Sequence, residues 1–93
     1  MKITAENFLQ HELIGLRAEV EESSNRDLQG LRGAVVDETR NMLVLEDERE
    51  KKVAKAGNVF VFDLGGEERV RVRVRVSGDL LVSRPEDRIK RRG

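Results

Sequence analysis

Ninety-three residues, 38% hydrophobic and 39% charged, make one small domain with a thin core. The chain has no cysteine, which excludes a disulfide framework and a thiolate zinc site. No run approaches the ~18 apolar residues of a membrane span, and Met1-Lys-Ile-Thr-Ala-Glu6 lacks a signal peptide's apolar core, so a soluble, cytoplasmic protein is expected.

In chain order, Thr4 can cap a helix over Ala5 to His11, on which Phe8, Leu9 and Leu13 share a face and Glu6 lies in the first turn. Residues 1–13 are assigned to this helix. Arg17 to Glu22 alternates Ala18 and Val20 with Arg17, Glu19 and Glu21, the period of a half-buried strand. Ser23 to Asp27 is a polar connector. Two aliphatic runs, Ala34 to Val36 and Met42 to Leu45, flank the polar turn Asp37 to Asn41 and predict a β-hairpin. Gly30 and Gly33 suit a sharp bend or a close backbone approach at its start.

Glu46 to Lys52 reads as a charge-dense tip, and Val53 begins another extended piece that ends at Ala56-Gly57-Asn58. Val59 to Phe62 is short enough for a strand covered on both sides. Asp63 to Gly66 predicts a turn. Glu68 to Val76 alternates so that valines 70, 72, 74 and 76 share one face and arginines 69, 71, 73 and 75 the other. Ser77-Gly78-Asp79 predicts a turn into Leu80-Leu81-Val82, and a basic helix is expected from Ser83 onward, with acids in its first turn and cations in its last.

Short strands separated by glycine and Asx turns imply a small, twisted antiparallel sheet. Closure into a partly open Sm-like or SH3-like barrel over residues 14–83, flanked by the two terminal helices, is the economical way to hide its edges.

Charge is balanced at 18 basic and 18 acidic residues but unevenly distributed. Residues 1–50 carry six basic and twelve acidic side chains; residues 51–93 carry twelve and six. Such asymmetry points to a half that faces a polyanion and an acidic half contacted separately.

Several motifs together resemble one family. Leu28 with Gly30-x-x-Gly33, then Val35-Val36-Asp37-Glu38-Thr39-Arg40-Asn41, is similar to the central block of the archaeal and eukaryotic ribonuclease P protein component 1 family. Leu13-Ile-Gly-Leu16, Ser24-Asn25, Lys51-Lys52-Val53-x-Lys55 and Arg84-Pro-Glu-Asp-Arg88 through Lys90 extend that likeness over most of the chain. The monotonous Arg/Val repeat is more basic than the family's usual strand. The resemblance implies an Sm-like barrel that serves as a non-catalytic subunit of ribonuclease P, the ribonucleoprotein that removes the 5′ leader of precursor tRNA. It implies two partners, the catalytic RNA and a small zinc-ribbon protein subunit, with no cofactor or metal of its own.

For RNA contact the sequence offers Arg32, Arg40, Lys51, Lys52, Lys55, Arg71, Arg73, Arg84, Arg88, Lys90, Arg91 and Arg92, because exposed arginine forks and lysine ammonium groups dock phosphates. The Arg69 to Arg75 face can equally pair with Glu19, Glu21 and Glu22. For a protein partner it offers Phe8, Leu9, Glu12 and Glu19, an apolar stripe with acids around it. His11 stands alone, Asp37-Glu38 fits a turn better than an acid/base pair, and Gly30-Leu-Arg-Gly33 lacks the flanking helices of a KH clamp.

Three phenylalanines, with no Tyr or Trp, cannot furnish a base-stacking sheet. Any RNA is therefore read through backbone charge, 2′-hydroxyls and shape. Neutralising ~4–6 phosphates would give a log–log salt slope of roughly −3 to −5. A ribosomal or translation-associated module of the SH3-like, KOW type is the rival reading, and a protein–protein adaptor without RNA contact is the third.

Overall fold

A computed structural model describes residues 12–67 and 70–82. Six strands form one antiparallel sheet: β1 (Arg17–Ser23), β2 (Arg32–Glu38), β3 (Met42–Glu46), β4 (Glu50–Ala54), β5 (Asn58–Glu67) and β6 (Val70–Ser77). A single-turn helix, α1 (Gly78–Val82), follows β6, and a 3-10 turn at Arg26–Leu28 links β1 to β2. The strand order is β4-β3-β2-β1-β5-β6, so β4 and β6 are the sheet edges.

The mainly β architecture, partly open, is the one expected. The expected helix around Phe8 and Leu9, and the expected basic helix with Arg84, Arg88, Lys90, Arg91 and Arg92, lie outside the described residues; Glu12 and Leu13, assigned to the first of them, are not helical.

Period-two alternation places the core. Ala18 and Val20 of β1, Leu43 and Leu45 of β3, Val53 of β4, Phe60 and Phe62 of β5 and Val76 of β6 face inward and are buried together with Leu13, Val35 and Leu81. The Phe60 and Phe62 rings lie 6.0 Å apart on that face, as their spacing requires. Val59 and Val61 are only half-buried, so this strand is covered fully on one side and partly on the other.

Three register shifts interrupt the alternation, at Glu21, Val36 and Leu64. The one at Val36 has the largest consequence. Without it Glu38 would share the outward face of Val36; the extra residue turns Glu38 inward, opposite Leu43.

Two glycines let the sheet curl. A Cβ on Gly33 would stand 2.5 Å from the Glu46 carbonyl oxygen, so β2 can bend toward β3 only without a side chain. A Cβ on Gly78 would overlap the Lys55 carbonyl and lie 2.9 Å from that of Asn58. Gly78 follows edge strand β6 and Lys55 follows edge strand β4, so the two edges converge at this corner. Gly30, expected at a bend, has φ +89° in the turn before β2.

Three sequence expectations are corrected. Asp63 to Gly66 is not a turn: β5 continues through it to Glu67, absorbing Leu64 as a bulge. Leu80 to Val82 is helical, and the helix begins at Gly78, because Gly78 packs on the β4–β5 connection and Leu81 is thereby brought into the core. The acidic tip is shorter than predicted, since Glu50, Lys51 and Lys52 already pair with β3.

Candidate nucleic-acid interface

Three strands bring their outward arginines together. In register, Arg32 of β2 lies opposite Glu19 of β1, and Glu19 lies opposite Val61 of β5. One row along, Arg17 lies opposite Asp63, which lies opposite Arg73 of β6. The result is a shallow dish of about 200 Å³ lined by Arg17, Arg32 and Arg73 with Glu19, Val61 and Asp63. The Asp63 carboxylate accepts from the Gly65 backbone N–H at 2.8 Å, a bond inside the β5 bulge that draws its charge toward the backbone. Among the described residues no ion pair closes on Arg17, Arg32 or Arg73. Their guanidinium forks remain available for phosphate oxygens.

Arg75, two residues on, is engaged. Its guanidinium donates to Glu21 and, at 2.8 Å, to Glu22. Consecutive strand residues normally point to opposite faces; the register shift at Glu21 lets both carboxylates reach one arginine. The hydrogen bond and charge of Glu21, then the charge of Glu22, hold Arg75 even more firmly protonated than an arginine ordinarily is. The repeat therefore divides: Arg73 faces the dish, and Arg75 follows the pairing alternative. The backbone of Arg71 pairs with Gly66; its side chain lies outside the described part of the structure.

The lysine cluster does not form one patch. Alternation in β4 places Lys51 on the side of Leu45, at the barrel rim, and Lys52 on the opposite face beside Val44. Both are exposed. Lys55 is a correction to the surface reading. Its side chain is 0% exposed, and its Nζ donates to the Glu38 carboxylate at 2.8 Å and to the Arg40 carbonyl at 3.1 Å. Its backbone N–H also donates to the Asn41 carbonyl, so Lys55 locks the β2–β3 turn to the end of β4. Arg40 itself is exposed on that turn.

Glu12 is exposed, but Glu19 sits half-buried among the arginines of the dish and not on a separate acidic surface. The charge halves are interleaved as well: Glu38–Lys55, Glu21–Arg75 and Glu22–Arg75 each join an early acid to a late base.

Sequence reasoning missed Arg17. The sequence shows it only as an outward residue beside Ala18, and the signal that finds it is its parity with Glu19, whose cross-strand neighbours need the fold.

A partly open barrel gathers on its outer face three arginines without ion-pair partners among the described residues, the build of a small β-barrel module with a cationic face. Comparison with known proteins gives the family. Residues 6–91 match the family described as Ribonuclease P/MRP, subunit p29. The chain is 48% identical over 92 residues to Ribonuclease P protein component 1 of Methanocaldococcus jannaschii, covering 97% of this chain and 92% of that one. It is 47% identical over 92 residues to the protein of the same name from Methanothermobacter thermautotrophicus, covering 97% and 95%. A solved structure described as Mth11, a homologue of human RNase P protein Rpp29, superposes with a TM-score of 0.59 at 46% identity, covering 85% of this chain and 99% of that one. The chain belongs to the ribonuclease P/MRP subunit p29 family.

Proposed function

We propose that this chain is a non-catalytic subunit of ribonuclease P that binds the catalytic RNA and assists removal of the 5′ leader from precursor tRNA. The observation that carries the reading is the convergence of Arg17, Arg32 and Arg73 from three strands into one dish without ion-pair partners among the described residues. Membership of the p29 family over residues 6–91 supports the assignment to ribonuclease P. Arginine stays protonated and cannot serve as a general base, so the dish suits holding phosphates and not cleaving them. The bond-breaking step falls to the RNA. A zinc-ribbon protein subunit is the proposed protein partner, and the cytoplasm the proposed compartment.

Reconstitution tests this directly. The chain is added, with and without the zinc-ribbon subunit, to ribonuclease P RNA, and precursor-tRNA cleavage is measured at limiting magnesium. Stimulation supports the proposal. Binding to ribosomal RNA without stimulation supports a translation-associated module, and failure to bind structured RNA at low salt leaves a protein adaptor.

A further inference from the structure

A second, larger concavity adjoins the dish. It occupies about 460 Å³ at the barrel rim, between the start of β2 and the β3–β4 tip. Half-buried Leu31 gives it an apolar patch, with the buried Leu45 packed beneath. Arg32, Arg49 and Lys51 supply cations, and Asp47 and Glu48 supply acceptors. Arg32 lines both concavities, so a cationic path runs from the rim over Arg32 to Arg17 and Arg73 on the outer sheet.

From this continuity, and resting on the RNA-binding reading above, we infer that the rim concavity receives one unpaired nucleotide of the RNA whose backbone follows the arginine path. A volume of this size lies in the range of small-ligand sites. Unpaired bases are the parts of RNA that proteins reach most readily. The concavity has no aromatic wall, so the base rests on leucine and not in a stack. Carboxylates on an RNA-binding surface ordinarily repel the ligand. Here they stand beside the apolar patch, where they can accept from the amino group of a base, as acidic side chains do from cytosine N4. Arg32 and Lys51 then hold the flanking phosphates.

The sign of one measurement separates this site from plain charge attraction. The probes are two RNA hairpins of the same stem, one with a single bulged cytosine and one with an abasic nucleotide at that position. Binding of the full chain to each is measured at about 50 mM salt, where phosphate contacts are strong. The expected result is roughly tenfold tighter binding of the cytosine bulge, about 1.4 kcal/mol. Neutralising the acids in Asp47→Asn/Glu48→Gln should weaken binding of the cytosine bulge and leave the abasic hairpin as tight or tighter. Arg32→Ala should weaken both. Tight, equal binding of the two hairpins, or tighter binding of both after the acids are neutralised, overturns the proposal while RNA binding survives, and gives the rim to a protein partner. No binding of either hairpin removes the RNA-binding reading itself.

Discussion

Replacing Lys55 with methionine tests the most consequential structural correction. The amine is fully buried, its partner Glu38 is 2% exposed, and the contact is 2.8 Å with a second bond of 3.1 Å to the Arg40 carbonyl. Lys55→Met keeps the length and apolar stem but deletes the charge that the buried Glu38 carboxylate meets at 2.8 Å. Losing two hydrogen bonds from a charged donor amounts to about 3–6 kcal/mol. Removing one partner of a buried ion pair costs about 3–5 kcal/mol by the independent route of measured pairs. The two estimates agree. A domain of this size has only about 5–14 kcal/mol in total, so Lys55→Met should forfeit about a fifth of it or more. At about 4–8 °C per kcal/mol, the melting midpoint should fall by at least about 12 °C. The chain has no Trp or Tyr, so urea unfolding is followed by far-ultraviolet circular dichroism. The double variant Glu38→Leu/Lys55→Met should recover most of the loss, because an apolar pair of similar volume needs no counter-ion. A Lys55→Met unfolding free energy within about 1 kcal/mol of the parent's would mean that the amine lies at the surface.

Other consequences are equally direct. Gly78→Ala should destabilise by about 1–3 kcal/mol or more, since the added methyl meets backbone carbonyls that cannot rotate away, and Gly33→Ala should do the same against Glu46; urea midpoints check both. Arg73→Ala should lower affinity for ribonuclease P RNA and flatten its log–log salt slope by about 0.7–0.9, whereas Arg75→Ala, whose guanidinium is held by Glu21 and Glu22, should leave that slope unchanged in filter-binding titrations. Leu81→Ala should cost about 2–5 kcal/mol by thermal melting, as α1 anchors its corner of the barrel through this one buried side chain.

Much of the fold was legible because alternation is a local property. Ala18 and Val20, the Val35 hairpin arm, Phe60 and Phe62 all lie where a period of two puts them. Gly30 and Gly33 were legible too as places for a bend or a close approach: Gly30 takes a positive φ in the turn before β2, and Gly33, inside β2, stands against the Glu46 carbonyl. The parity of Val53 also held the position of Lys55: two residues on from a core valine, its side chain had to face inward. That reading was lost because a lysine among lysines looks like a surface. What no local pattern carries is the bulge. Val36 reverses the facing of Glu38, and the shift at Glu21 gives one arginine two acids; both depend on pairing with a distant strand. The dish was hidden for the same reason, since Arg17, Arg32 and Arg73 are far apart in sequence and meet only through register.

In the proposed complex the outer sheet meets RNA through Arg17, Arg32 and Arg73. The salt dependence of affinity for ribonuclease P RNA, compared between the parent and an Arg17→Ala/Arg32→Ala/Arg73→Ala variant of unchanged circular dichroism, tests it most directly. The slope should become shallower by about 2–3 in the variant, with a matching loss of affinity. An unchanged slope and affinity would contradict it.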